Sequence, residues 1–198
     1  TSYERRPRID AKMIQTMEYP TAEDIAQAFS PTGIVGKLYV DFEPREEQLT
    51  MAQEVRAALE ASENLIVEAG TGVGKSMAYL VPAVLMAKKN NIAIGVATKA
   101  NALLDQLVYH ELPALDQSLG DITYAPLKGF SHYPCLRKVN RFVKEGVKMV
   151  DVQGTEHSQA PSLGALLSFI DQTDYDDMDS LKMDYRVVPR RAVTTTSH

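Results

Sequence analysis

The chain has 198 residues, a formal net charge of −5 and 44% apolar residues, which is enough for one hydrophobic core plus additional segments. The acidic balance excludes a protein that binds nucleic acid by net charge alone, although a local basic groove is compatible with it. The single cysteine excludes an internal disulfide framework, and no apolar run is long enough to cross a membrane. These features predict a cytoplasmic protein with no membrane partner.

Residues 1–20 are polar and irregular and are predicted to form an N-terminal arm. Two helices are predicted after this arm. The sequence Thr21-Ala22-Glu23-Asp24 has the pattern of a capping box, which predicts a helix from Ala22 to Phe29. A second helix is predicted to begin near Pro44, because proline is favoured in the first turn and glutamates follow it.

Three apolar runs predict strands that alternate with these and later helices. They are Leu65–Val67, Ile92–Ala97 and Ile122–Leu127. The alternation predicts an α/β fold in which a parallel sheet is flanked by helices, and its ligand is expected at the carboxyl ends of the strands.

A glycine-rich stretch between the first strand and the next helix has the pattern of a phosphate-binding loop. Glycines let the backbone curl around a phosphate, and the N–H groups at the start of a helix attract anions. Lys75 can reach the β- and γ-phosphates, and the Ser76 hydroxyl can ligate Mg²⁺. The strict pattern begins with glycine where this chain has Ala69, which we interpret as a variant of the loop. The predicted phosphate-binding residues are Gly70, Thr71, Gly72, Val73, Gly74, Lys75 and Ser76.

Gln48 lies 27 positions before Lys75, just inside the predicted second helix. In many nucleic-acid motors a glutamine in this place recognises the adenine edge. The alternative is an exposed polar residue on a helix, and spacing alone favours that alternative.

The sequence after Leu127 changes character. Basic residues recur at helical spacing from Arg137 to Lys148, which predicts a helix with a basic face that either binds phosphates or is simply solvated. Residues 150–161 are predicted to form a loop, and residues 163–170 a short amphipathic helix. The six aspartates between Asp171 and Asp184 predict a solvated acidic linker, and Tyr185–Thr196 is predicted to be extended.

Four ordered segments together resemble a known family. They are Arg45-x-x-Gln48-x-x-Met51, the loop Glu68–Ser76 with the following Met77-Ala78-Tyr79-Leu80, the stretch Ala97–Leu107, and Leu127–Cys135. The combination, from about residue 21 to the end, is similar to the N-terminal part of DinG-type helicases in the XPD-like branch of superfamily 2.

This resemblance implies an ATP-driven 5′-to-3′ DNA helicase that moves on single-stranded DNA, and a RecA-like P-loop NTPase fold. It implies a first motor domain over residues 21–130 and the start of a mainly helical insertion domain over residues 131–198. Lys75 would be catalytic. The nucleotide site would include Arg45 and Gln48, with Mg²⁺ held by Ser76. The residues matched to nucleic-acid binding are Thr98, Lys99 and Asn101, and the basic face described above adds Arg137 and Arg141 as candidates. Thr98 and Asn101 could equally cap the helix that follows, since capping needs the same geometry.

Cys135 resembles the first of four cysteines that hold an iron–sulfur cluster in this family. A [4Fe–4S] cluster usually needs four thiolates and this chain has one, so the residues alone indicate an incidental thiol. The resemblance implies that the other three lie beyond His198.

The Asp-Glu pair of helicase motif II, which would hold Mg²⁺ and position water, does not occur in the 198 residues. We therefore expect an N-terminal part of a larger helicase that is itself inactive. The alternatives are another phosphate-loop protein, such as a small kinase, and a non-catalytic interaction module.

Overall fold

The computed structural model describes residues 16–72, 74–172 and 177–195, and the chain divides into two compact units between Tyr124 and Ala125. Most of the predicted N-terminal arm (residues 1–15) lies outside the described residues. The predicted domain limits, with a boundary after residue 130, stay predictions. We describe the two units separately as unit 1 (through Tyr124) and unit 2 (from Ala125).

Unit 1 is built from helices in its described part. They are α1 (Ala22–Ala28), α2 (Glu46–Ala61), α3 (Lys75–Asn90), α4 (Asn101–Gln106) and α5 (Leu112–Leu119), with a 3-10 turn at Gly36–Leu38 and a π-helical segment at Leu107–Glu111. The capping box is confirmed, because the Thr21 hydroxyl accepts from the Asp24 N–H at 3.0 Å and the Asp24 carboxylate accepts from the Thr21 N–H at 2.8 Å. Local sequence therefore fixes the start of α1.

The core of unit 1 lies where α2 packs against α3, with α1 and α5 beside them. Removing this apolar surface from water is what holds the short helices together, because isolated helices of this length are marginal in water. The fully buried side chains include Ile25, Val35, Ala52, Leu80, Val81 and Leu115.

The three predicted strands of unit 1 are not confirmed. Within the described residues, Leu65–Val67, Ile92–Ala97 and Ile122–Leu127 pair with no strand, and Ile66 is 97% exposed. A strand is stabilised by backbone hydrogen bonds to a neighbour, so apolar content alone does not create one. What the structure shows is a chain of mixed helix and strand, and the parallel sheet stays a prediction.

Gly33 closes the turn after α1 in a place where no side chain fits. A Cβ atom there would overlap the backbone carbonyl oxygens of Gln27 and Ala28, which cannot rotate away. We expect Gly33→Ala to lower the free energy of unfolding by about 1–3 kcal/mol, measured by urea denaturation. Gly164→Ala is the matched control, because open space surrounds this helical glycine and alanine should stabilise by roughly 0.5–1 kcal/mol. Equal stability of the two variants would contradict this account.

Unit 2 combines helices with one small sheet. Its elements are a 3-10 turn (Phe130–His132), α6 (Leu136–Lys144), β1 (Met149–Val152), β2 (Thr155–Ser158), α7 (Ala160–Gln172) and α8 (Arg190–Val193). The predicted helix over residues 163–170 is confirmed as α7, and the basic stripe is helical as α6 only as far as Lys144, so Lys148 lies beyond the helix. The predicted loop at 150–161 is wrong: β1 and β2 form an antiparallel hairpin with Met149 opposite Ser158. Gln153 and Gly154 both have positive φ, as a tight two-residue hairpin turn requires.

The extended conformation predicted for Tyr185–Thr196 is also wrong over its centre. Pro189 precedes α8, and proline presets the backbone angle for a helix start. The core of unit 2 places α8 and α6 against α7 and the segment before α8. Its buried side chains are Val139, Leu166, Met178, Val187, Val188 and Val193.

A search of the described residues for a helix both long and apolar enough to span a bilayer finds none.

Candidate functional site

The glycine-rich loop leads directly into α3, whose first residue is Lys75. Gly72 and Gly74 have φ angles of 86° and 80°, in the left-handed region that favours glycine. Gly74 is the residue that caps α3, so the unpaired N–H groups of the first turn follow it immediately. Val73 lies outside the described residues. This arrangement places a tight backbone turn and a helix N-terminus at the predicted phosphate-binding segment.

Lys75 folds back over the loop that precedes it. Its ammonium donates to the carbonyls of Ala69 at 3.0 Å and Gly70 at 3.2 Å, and the side chain is exposed. These neutral acceptors are weaker partners for a cation than phosphate oxygens are. The lysine can therefore exchange them for a polyphosphate without breaking an ion pair.

Ser76, the predicted Mg²⁺ ligand, is half-buried at the second position of α3 and interacts with Tyr79 through its hydroxyl. Burial raises the pKa of the Tyr79 phenol, and the hydrogen bond with Ser76 opposes that rise. Hydroxyl oxygen is a donor that Mg²⁺ accepts. Ser76 therefore supplies a hydroxyl for Mg²⁺, and Lys75 supplies a cation for the phosphates. These residues fit a bound metal–triphosphate group.

Arg45 and Gln48 both reach the loop from the start of α2. The Arg45 guanidinium donates to the Gly72 carbonyl, and the Gln48 side-chain amide donates to the Gly74 carbonyl at 2.9 Å. Gln48 is 6% exposed, so it is not the exposed polar residue that spacing alone favoured. The structure thus brings both predicted residues to the predicted phosphate-binding loop.

An aromatic pair that the sequence reasoning missed precedes these residues. The rings of Tyr39 and Phe42 lie 6.3 Å apart and nearly parallel, and Tyr39 is half exposed. Burial raises the pKa of Tyr39, the charge of Glu111 raises it further, and the charge of Arg45 lowers it. Residues 39–45 are not helical, so their spacing in the sequence gives no signal for this ring pair.

A groove of about 490 Å³ lies between α2 and the segment Val67–Gly70. Glutamate carboxylates from both walls line it and would repel a triphosphate. They are Glu46, Glu47, Glu54 and Glu68. These carboxylates make the groove an unfavourable place for a triphosphate.

Thr98, Lys99 and Asn101 lie together at the start of α4. The helix begins at Asn101 with Ala100 as its cap, and Thr98 donates to the Ala100 carbonyl at 3.2 Å. Lys99 and Asn101 are exposed. This bond uses the hydroxyl as a donor, whereas a capping threonine accepts from a helix N–H. Thr98 therefore does not cap α4 in the usual way.

Cys135 caps α6 in unit 2 and is half-buried. Its N–H donates to the Val193 carbonyl at 2.7 Å, and Thr195 donates to the Tyr133 carbonyl at 3.0 Å, so the thiol is held beside residues 193–195. One cysteine does not supply the four thiolates of a [4Fe–4S] cluster. The residues of this chain alone do not fit the cluster.

A charged cluster, which we name the Lys128 cluster, lies nearby in the same unit and contains Lys128, His132, Asp177, Asp179 and Arg190. The Lys128 ammonium is 1% exposed and lies 2.5 Å from Asp177 and 3.1 Å from Asp179. Although His132, Asp177 and Asp179 lie close enough to share a metal ion, the lysine already supplies their positive charge. The cluster is a buried ion-pair network, and the prediction of a solvated acidic linker is wrong at Asp177.

Asp179, a member of the Lys128 cluster, has a strongly lowered pKa. Burial by itself raises its pKa, but hydrogen bonds from Arg190, Lys128 and His132 outweigh burial and lower the pKa to about 2. The unfolded value is about 3.9. Ionised Asp179 therefore contributes stability above that value, and the contribution is lost as the pH falls toward 2.

The exposed side of α6 carries the predicted basic face. Arg137, Arg141 and Lys144 line a shallow groove of about 660 Å³ together with Asn140 and Glu145. Arg141 pairs with Glu145 at 2.8 Å, and this exposed hydrogen bond raises the pKa of Arg141. Water and salt screen an exposed pair of this kind, so a phosphate could displace the glutamate.

Comparison with known proteins places the chain among relatives of ATP-dependent helicases, although no family model matches it. The ATP-dependent DNA helicase YoaA of Haemophilus influenzae is 40% identical over 126 residues, which are 62% of this chain and 19% of that protein. The YoaA of Escherichia coli is 44% identical over 116 residues, 57% of this chain and 17% of that protein. A Bacillus subtilis protein named 3′-5′ exonuclease DinG is 31% identical over 150 residues, 75% of this chain and 15% of that protein.

The predicted resemblance is confirmed: these relatives carry the names DinG and YoaA, and the chain is homologous to them. It spans less than a fifth of the length of each of these three relatives.

Proposed function

We propose that this chain is the nucleotide-binding part of an ATP-dependent DNA helicase. The proposal rests on the junction between the glycine-rich loop and α3. A left-handed glycine turn precedes Lys75, the first residue of α3, and the side chains of Arg45 and Gln48 donate to carbonyls of the loop. A helix N-terminus with a lysine is suited to a triphosphate. The names of the homologues support a DNA helicase as the whole protein.

In this proposal the N–H groups at the start of α3 and the Lys75 ammonium bind the β- and γ-phosphates, and Ser76 holds Mg²⁺. Bound Mg²⁺ would supply charge neutralisation on the phosphates. Arg45 and Gln48 keep the loop in shape from the side of α2. With no Asp-Glu pair in the sequence, we expect this chain to bind ATP and to hydrolyse it weakly or not at all.

The test is isothermal titration of the chain with Mg·ATP, followed by an assay for phosphate release with and without single-stranded DNA. We expect binding without appreciable hydrolysis. The absence of ATP binding would contradict the proposal. Transfer of the γ-phosphate to a small acceptor would favour a kinase instead.

The proposed DNA contacts in unit 2 are the exposed arginines of α6. We expect the double variant Arg137→Glu/Arg141→Glu to weaken binding of a single-stranded oligonucleotide and to reduce the slope of log affinity against log salt by about 1.4, since each lost phosphate contact removes roughly 0.7. Fluorescence anisotropy across a salt series measures this slope. Lys182→Glu is the matched control, because Lys182 is also exposed in unit 2 but lies off α6. An equal effect of the control would show nonspecific attraction only.

A further inference from the structure

We propose that Gln48 is a positioning residue for the phosphate loop, acting on triphosphate binding through the Gly74 carbonyl irrespective of the base. The inference rests on the proposed nucleotide-binding function and assigns this residue a role other than recognition of adenine. The inference rests on the hydrogen bond from the Gln48 side-chain amide to the Gly74 carbonyl, which is 2.9 Å long. Gln48 itself is buried.

The carbonyl that Gln48 contacts also begins α3. The same oxygen accepts the Ala78 N–H at 3.3 Å, which is the first backbone hydrogen bond of the helix. A carbonyl oxygen has two lone pairs, so both donors can be satisfied at once. Gln48 is thereby part of the first turn of α3, although it belongs to α2.

The position of Gln48 also explains the residue type at position 74. Gly74 has a φ of 80°, and a Cβ atom there would overlap the Gln48 side-chain nitrogen. Glycine at this position therefore meets two demands at once: a left-handed turn and close approach of a buried amide. The Gln48 amide therefore packs directly against Gly74.

The bond sets the direction of a phosphate-binding donor. The peptide joining Gly74 to Lys75 is trans, so its N–H points opposite to its carbonyl. Because Gln48 holds the carbonyl toward α2, the Lys75 N–H points away from α2. This N–H is among the donors left unpaired at the helix start. Loss of the Gln48 bond would leave this peptide held by the Ala78 N–H alone, and the direction of the Lys75 N–H would be less well fixed for any triphosphate.

The two roles of Gln48 predict different patterns of ligand selectivity. We expect Gln48→Ala to weaken Mg-ATP, Mg-inosine triphosphate and inorganic tripolyphosphate by the same factor, roughly three- to tenfold, as for one hydrogen bond. Isothermal titration calorimetry measures the three affinities. Gln48→Glu, close in shape but unable to donate, should weaken all three at least as much. A loss confined to ATP would overturn the inference in favour of base recognition, and unchanged affinities would overturn it outright.

Gln53→Ala is the matched control, because Gln53 lies on the same helix and donates to the Ala22 carbonyl at 2.7 Å. We expect it to leave all three affinities unchanged. Hydrogen exchange separates a local effect from unfolding: in Gln48→Ala the amide of Ala78, which donates to the Gly74 carbonyl, should exchange faster, while those of Leu85 and Met86 later in α3 keep their rates. Uniform acceleration along α3 would overturn the positioning role. A wild-type chain that binds none of the three ligands would instead refute the proposed function, and this inference with it.

Discussion

Replacing Lys75 with alanine is expected to weaken binding of Mg·ATP by roughly 10- to 150-fold. The reason is that a hydrogen bond between the Lys75 ammonium and a phosphate oxygen, both charged, is worth about 1.5–3 kcal/mol. The ammonium already lies beside the carbonyls of Ala69 and Gly70 in the predicted phosphate-binding loop. The side chain is exposed, so its removal should leave the thermal unfolding temperature nearly unchanged. Isothermal titration and a thermal melt of the same preparation provide both measurements.

Lys89→Ala is a suitable control for the Lys75 variant. Lys89 lies near the end of the same helix, and its ammonium is 3.6 Å from Asp24, far along the chain from the loop. Its removal should cost at most about 1 kcal/mol of stability and leave ATP affinity unchanged. Parental ATP affinity in Lys75→Ala would refute the assignment of this loop. In a protein that carries this chain within a complete helicase, the same substitution should abolish DNA-stimulated ATP hydrolysis.

The sequence predicts the helices well because their signals are local. The capping box at Thr21 and the apolar spacing of α7 each involve residues a few positions apart. Such signals do not depend on which distant segments pack against the helix. The burial of Gln48 was missed, yet a local signal for it exists. Gln48 and Ala52 are four residues apart on one face of α2, and both are buried.

The sheet could not be settled from the sequence, because strand formation depends on a partner. Leu65–Val67 has the composition of a buried strand, but composition does not name the segment that supplies its backbone hydrogen bonds. At residues 150–161 the error was the reverse: a loop was predicted where the structure has two paired strands. There the turn at Gln153–Gly154 pairs β1, whose Val150 and Val152 pack against the core of unit 2, with the polar strand β2.

Long-range charge pairing was equally hidden. A run rich in aspartates predicts solvation, but Asp177 finds Lys128 49 positions earlier in the sequence. Further bonds tie these two segments together, including the Met178 N–H to the His132 carbonyl at 2.9 Å and the Lys128 ammonium to Asp179 at 3.1 Å. A lysine and an acidic run give no sign in sequence that they will meet.

The Lys128 cluster therefore gives the largest expected effect on stability. We expect Lys128→Met to lower the stability of unit 2 by about 3–5 kcal/mol, because it leaves the Asp177 carboxylate, 4% exposed, buried without its cation. Hydrogen exchange of α6 and α7 amides in the whole chain reports on this unit, whose core both helices help to form.

The double variant Lys128→Met/Asp177→Leu decides whether the charge or the packing matters. Replacing both partners of a buried pair with apolar residues is often neutral or stabilising, since the desolvation cost of two ions disappears. We therefore expect the double variant to recover most of the protection that Lys128→Met loses. Because Lys128 also bonds Asp179, the recovery should be incomplete, although Asp179 keeps Arg190 as a second cation 2.5 Å away. If the double variant were as unstable as the sum of the two single variants, the cluster would be held by shape, and the ion pair would not explain why Asp177 is buried.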